Sequence, residues 1–256
     1  MAAAIVGALP ERPLVASVDG FVPAGVAPDI TFRVERLVPF LHLLAERGVT
    51  CVTFAGAVTR PRLDPALIDP ATAQLLPRLM AAMGQGDDAT LREVIAVFED
   101  FDLTVLGVAD IAPDLVPGAG LHAGAITPTD QGDADRASRI VAALGAVDVG
   151  QGAVVQQGLC LGLETLAGTD AMLAGVAALP PALRPDPARG RGLVFKAPKL
   201  GQDARIDVPT LGPATVRHAA EAGLGGIVWA AGGVICLDLP AMQAEAAAQG
   251  LFLWAR

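Results

Sequence analysis

Basic residues are scarce in this chain of 256: 18 Lys and Arg face 27 Asp and Glu, for a net charge of −9. Gripping a long nucleic acid by its backbone needs a basic face, so that class of partner is excluded. A small phosphorylated ligand held by a few placed cations is not. Cysteine is equally sparse. Cys51, Cys160 and Cys236 lie far apart in apolar runs, which predicts reduced, buried thiols. The opening MAAAIVGALP lacks the basic segment of a signal peptide. The longest uncharged apolar run, Ala222 to Leu237, is shorter than the roughly 20 residues of a membrane span and holds two Gly pairs. A cytoplasmic protein with no transmembrane helix is expected. Also missing are G-x-S-x-G, Walker A and paired C-x-x-C motifs. His42, His122 and His218 stand apart from any metal-binding spacing and read as structural or exposed.

What is present is a folding chain, since 53% of its residues are hydrophobic. The first half alternates β-rich runs with helical patterns. Pro13 to Val18, Thr50 to Gly56 and Leu103 to Val108 read as strands. Arg33 to Arg47 carries an apolar face at helical spacing; Leu75 to Met83 and Ala89 to Phe98 are helical, the last capped by Asp87 or Asp88. Strand–helix–strand alternation implies parallel βαβ units and a Rossmann-like α/β domain over residues 1–125. Residues 113–133, rich in Gly, Pro, Asp and Thr, read as the linker. Helices at 135–144, 169–178, 215–222 and 240–248 then alternate with strands at 153–156, 160–164, 192–197, 226–229, 234–237 and 251–254. They predict a distinct C-terminal α/β domain over residues 134–256.

Charge concentrates between Asp148 and Thr210. Asp148, Glu164, Asp170, Lys196, Lys199, Asp203, Arg205 and Asp207 sit there among Gly, Pro, Gln and apolar residues, as in a partly dry cleft where carboxylates and cations converge. In KAPKLGQDARIDVPT, an extended chain would project Asp203, Arg205 and Asp207 to one side. A carboxylate pair there could hold Mg²⁺ or deprotonate water, while Lys196, Lys199 and Arg205 neutralise phosphate; a salt-bridged edge strand is the alternative. Thr169 and Asp170 could cap a helix or face an anion at its N-terminus, and Glu164 ends an apolar strand with no evident structural task. Gly150 and Gly152 around Gln151 allow a ligand close to the backbone, or mark a strand-entry turn. In FAGAVTRPRL, a strand runs into the Gly56 turn and then Arg60 and Arg62, which suit a phosphate or are solvated loop residues. Asp87 and Asp88 are one carboxylate more than a cap needs.

The segments FAGAVTRP, GDDATL, DVGQGAVV, ETLAGTDAML, KAPKLGQDARIDVPTLGPATV and AAEAGLGGI carry a resemblance. In this order, over most of the chain, the sequence resembles the two-domain UDP-2,3-diacylglucosamine pyrophosphatases of lipid A biosynthesis in Gram-negative bacteria. These are unrelated to the calcineurin-like metallophosphoesterases. The resemblance implies a Rossmann-like N-terminal domain, a distinct C-terminal α/β domain and a lipid-binding site between them. It implies Mg²⁺-dependent hydrolysis to UMP and 2,3-diacylglucosamine 1-phosphate (lipid X) by a cytoplasmic protein at the inner membrane face. The family's essential aspartate, in R-x-D-x-P, falls on Asp207. Asp203, Asp170 and Glu164 are the next catalytic candidates, with Asp207 and Asp203 as metal ligands. Substrate contacts are expected from Lys196, Lys199, Arg205, Gln151, Gln202, Thr169, Gly56, Arg60, Asp87 and Asp88. Members of that family open with a strand and a turn of the I-A-G-x-G-x-L-P kind. Here MAAAIVGALPERPLVASV matches the end of the following helix and the next strand, so the first strand is expected to be missing. A non-catalytic protein that binds UDP-sugar lipids or lipid X is the alternative. An NAD-type oxidoreductase is disfavoured because no G-x-G-x-x-G follows a first strand.

Overall fold

The computed structural model describes residues 1–56 and 63–256. Contacts divide the chain into two compact units. One comprises Met1–Pro113 and Asp203–Asp207; the other comprises Asp114–Gln202 and Val208–Arg256. Both mix helix and strand.

The first unit opens with α1 (Ala2–Ala8), then β1 (Ala16–Val18) and β2 (Ile30–Phe32). Next come α2 (Leu37–Glu46), β3 (Cys51–Val52), α3 (Pro70–Met83), α4 (Asp87–Glu99), β4 (Thr104–Val105) and α5 (Val108–Ile111). Leu37, Phe40, Leu41 and Leu44 recur at helical spacing on α2 and pack with Ile95, Val97 and Phe98 of α4 and Leu103 and Val105 around β4. Helix α3 starts five residues earlier than its periodicity predicts. Asp69 caps it by accepting from the Ala71 and Thr72 amides, and Pro70 takes the first helical position. The cap position of α4 is Gly86, one residue before Asp87 and two before Asp88, and its φ of 121° suits only glycine. The strands are shorter than predicted. The run from Leu103 ends early because the Asp110 carboxylate accepts from the Gly107 N–H and starts α5. β1 pairs in parallel with β2, and β3 with β4, as two separate pairs among the described residues.

In the second unit the stretch predicted as linker contributes β5 (Gly120–Ala123). Four residues of mixed character leave no periodic trace, so only pairing reveals this strand. Helix α6 (Pro128–Ala146) begins seven residues before its predicted start, because Thr127 and Asp130 form a reciprocal capping box ahead of its apolar face. β6 (Gly152–Gln156), β7 (Leu159–Leu163), α7 (Gly168–Ala177), β8 (Leu193–Lys196), β9 (Thr210–Leu211) and α8 (Pro213–Glu221) follow. β10 (Gly226–Trp229), β11 (Ile235–Cys236), α9 (Leu239–Gln249) and β12 (Phe252–Ala255) complete the unit. Six strands make one sheet in the order β5-β12-β10-β8-β6-β7. β12, β10 and β8 are parallel, while β5, β6 and β7 run antiparallel to their neighbours.

Alternation along the strands sorts the core into two layers. Val154, Val194, Ile227, Trp229 and Leu253 pack with residues of α7, α8 and α9; Ala153, Val155, Leu193, Phe195, Val228 and Phe252 pack with Ala134, Ala137 and Val141 of α6. Every residue of β6, β8 and β10 is buried, as expected for strands covered on both faces. Gln157 and Gly158, both at positive φ, turn β6 into β7, and the buried Asp133 of α6 accepts from both amides at 2.9 and 2.7 Å. Among the described residues, no helix is long and apolar enough to cross a membrane.

Candidate active site

Strand register assembles the core of the site in the second unit. Lys196 ends β8 and stands opposite Gly152 of β6, while Leu163 ends β7 opposite Ala153. Glu164 is the next residue and donates its N–H to the Gly152 carbonyl at 2.9 Å. Glu164, Gly152 and Lys196 thus form a row across three adjacent strands. The middle position has no side chain, and the Glu164 carboxylate fills its place: a Cβ on Gly152 would lie 2.3 Å from Oε2. A Cβ on Gly150 would lie 2.0 Å from the Glu164 carbonyl oxygen. Both glycines are needed for close approach, as the sequence suggests, but what approaches is the chain itself.

Glu164 and Lys196 are 6% and 5% exposed. Lys196 Nζ lies 3.3 Å from Glu164 Oε1 and also donates to Thr169 Oγ1, in the first turn of α7. Among the described residues, Glu164 Oε2 is buried without a hydrogen-bond partner, and so is Gln151 Oε1. Lys199 reaches Asp148 Oδ1 at 2.5 Å, and its N–H donates to Gln202 Oε1 at 2.9 Å. Asp148 occupies the left-handed region at φ 55°, a conformation Asp tolerates. Loops at this end of the sheet carry exposed apolar side chains; Leu166 is 100% and Leu200 90% exposed.

Asp170 does not join this group. Its side chain is 72% exposed and lies 3.1 Å from His218 Nδ1 of α8, so His218 is not isolated. The two residues border a cavity of about 350 Å³ lined also by Leu173 and Glu221. Burial lifts the Cys236 thiol to about 12, whereas Cys51 and Cys160 are exposed, contrary to expectation. Both exposed thiols lie on strands of sparse cover.

The second cluster lies in the first unit, because residues 203–207 belong there. This segment is not extended. Ile206 and Asp207 donate their amides to the Asp203 carbonyl at 3.3 and 3.4 Å, a turn that removes the predicted one-sided projection. Ile206 is packed against the apolar core of that unit. The Asp203 carboxylate accepts from the Arg205 amide and guanidinium, with Nη2 to Oδ2 at 2.7 Å, and Arg205 Nη1 donates to Glu99 Oε1 at 2.7 Å. The Arg205 guanidinium holds the Asp203 carboxyl below the usual carboxylate range, and the two carboxylates raise the Arg205 pKa. Asp88 pairs with Arg92 at 2.9 Å, one turn on along α4. Asp87 begins α4, Gly56 sits in a bend at φ 103°, and Arg60 and Arg62 lie outside the described residues. Glu99 and Arg92 do not stand out in the sequence, where each is one of many helix-surface charges.

These groups test the fit of Mg²⁺. No three His, Cys, Asp or Glu side chains gather around a metal position among the described residues. Arg205 donates to both oxygens of Asp203, so that carboxylate is already engaged. The donor set suits Mg²⁺ only as an ion held by one or two carboxylates and completed by phosphate oxygens and water, the mode this cation commonly adopts.

Residues 118–254 match the family model described as LpxI C-terminal domain, and residues 2–115 match that described as LpxI N-terminal domain. The chain is 41% identical over 215 residues to a protein of Caulobacter vibrioides named UDP-2,3-diacylglucosamine pyrophosphatase LpxI. The match covers 84% of this chain and 76% of that protein.

Proposed function

The chain belongs to the LpxI family, and from that premise we propose that it hydrolyses the pyrophosphate bond of UDP-2,3-diacylglucosamine, releasing UMP and 2,3-diacylglucosamine 1-phosphate, lipid X. The observation that carries the reading on this chain is the placement of Lys196. A buried ammonium stands at the carboxyl end of β8, in the part of an open α/β sheet where ligands sit, with Lys199 three residues on. Two cations at one strand end and the loop after it suit a pyrophosphate, whose oxygens gain charge as the bridging P–O bond breaks and the bond to water forms.

Each residue has a task in this reading. Lys196 and Lys199 bind phosphate oxygens, Thr169 and Gln202 orient these lysines, and Gln151 contacts substrate. Asp207 orients the attacking water and takes its proton. Asp203 and Glu99 hold the Arg205 guanidinium, which adds positive charge. Mg²⁺, held by Asp207 with phosphate oxygens, would neutralise charge on the phosphates. Leu166 and Leu200 offer apolar contact to acyl chains. A substrate with two acyl chains resides in a membrane, so the protein works at that surface from the cytoplasm. The parallel pairing of β1 with β2 and β3 with β4 supports a Rossmann-like ancestry for the first unit.

The test follows UMP release from UDP-2,3-diacylglucosamine with Mg²⁺ and with EDTA. Release is expected with Mg²⁺ alone and is expected to vanish in Asp207→Asn while the melting temperature holds. Folded wild-type protein that binds the substrate without releasing UMP would establish the binding protein instead.

A further inference from the structure

We propose that Glu164 is a positioning residue for Lys196, fixing its ammonium so that a remaining N–H meets a phosphate oxygen of the substrate. The proposal rests on the pyrophosphatase reading and assigns Glu164 no contact with the reacting atoms.

An ammonium has three donors. One of those on Lys196 faces Glu164 Oε1, one goes to Thr169 Oγ1, and the third has no partner among the described residues. The four-carbon stem of a lysine is flexible, so an ammonium without such partners samples many positions. Here β8 delivers the stem, the residue after β7 delivers the carboxylate, and the first turn of α7 delivers the hydroxyl. Three separate elements therefore determine one charged atom.

The pair is built for placement and not for stability. A buried ion pair gains little unless all its lone pairs are satisfied, and an apolar pair of similar volume does at least as well. Among the described residues Glu164 Oε2 receives no hydrogen bond despite its burial, which is a standing cost. Gly152 also gives up its side-chain volume to the carboxylate, and Gly150 gives way to the Glu164 backbone. A fold that needed only a filled core would place an apolar residue at 164, as it does at Val154 and Val194 on the same face. An ammonium set in advance needs no rearrangement as charge grows on the phosphate oxygens.

The experiment uses Glu164→Gln, which keeps shape and removes charge, and Gly152→Ala, which keeps the charge and displaces the carboxylate. Each is melted to establish that it is folded, then assayed for UMP release and, by calorimetry, for binding of inorganic pyrophosphate. Both variants are expected to lose at least tenfold in kcat/KM, mainly in kcat, and to bind pyrophosphate less tightly than wild type. A fall of less than threefold in a folded variant overturns the proposal, whatever its melting temperature, because a purely structural Glu164 would shift melting alone. If Glu164→Gln does not fold, Gly152→Ala decides. If wild-type protein releases no UMP, the pyrophosphatase reading fails by itself and pyrophosphate affinity becomes the deciding readout. Equal affinity in wild type and variants, or none in wild type, then overturns the positioning role.

Discussion

Gly150→Ala and Gly152→Ala add the same methyl group two residues apart and should behave differently. At Gly150 the new Cβ would lie 2.0 Å from the Glu164 carbonyl oxygen and 2.8 Å from its carbon, inside the 3.0 Å limit that real Cβ atoms respect. Both atoms are backbone, so no rotamer change relieves the clash and the strand ends must part by about an ångström. Overpacking of this kind costs about 1–3 kcal/mol. Two backbone hydrogen bonds are also at risk, Glu164 N–H to Gly152 O and Ala197 N–H to Gln151 O, at about 1 kcal/mol each. The total is about 3–5 kcal/mol, or a melting temperature about 10 °C lower for a chain of this size. At Gly152 the nearest atom is Glu164 Oε2, the end of a side chain that can swing away. That variant should melt closer to wild type and lose activity instead. Thermal melts followed by circular dichroism, with UMP release measured on the same samples, separate the two. A Gly150→Ala protein that melts within about 2 °C of wild type would overturn this account of the clash, since 3 kcal/mol cannot vanish into so small a shift.

Acid stability offers a second check. The hydrogen bond from the Asp64 N–H holds the buried Glu35 carboxyl below its ordinary value of 4.5. A depressed folded-state value means that Glu35 stabilises fully above that pH and loses its contribution as pH falls through the folded-state value. Glu35→Gln should therefore flatten the acid side of a plot of urea midpoint against pH; parallel curves for the two proteins would rule this out. Glu99→Gln breaks the ion pair to Arg205, but Glu99 and Arg205 are 46% and 38% exposed, so the cost should be about 0.2–1 kcal/mol. A larger drop in a denaturant melt would mean that the pair does more than a surface contact can. Asp207→Asn should leave the melting temperature within a few degrees of wild type and abolish UMP release; retained release would remove Asp207 from the chemistry.

Much of the fold is legible in the sequence, for identifiable reasons. Helix α2 and strands β6, β8 and β10 follow from local periodicity, because Leu37, Phe40, Leu41 and Leu44 repeat at helical spacing and the strands are continuous apolar runs. The chemistry-bearing residues are also visible, because charges set among Gly, Pro and apolar neighbours are unusual in a chain so poor in charge. Helix starts are displaced from the periodic pattern because caps such as Asp69 and the Thr127–Asp130 box lie outside it. Strand β5 escapes a sequence reading because its only signature is pairing with β12.

Local sequence, then, determined the residue types of the site and the elements that carry them, since both depend on neighbours within a few positions. Tertiary structure alone decided which charges meet. Strand register brings Glu164 to Lys196 across 32 positions, and packing brings Glu99 to Arg205 across 106. Asp203 and Lys199, four residues apart, are assigned to different units, because Ile206 packs into the core of the first unit while Lys199 pairs with Asp148 in the second. Contacts between distant segments follow from how whole elements pack, and no window along the chain contains that information.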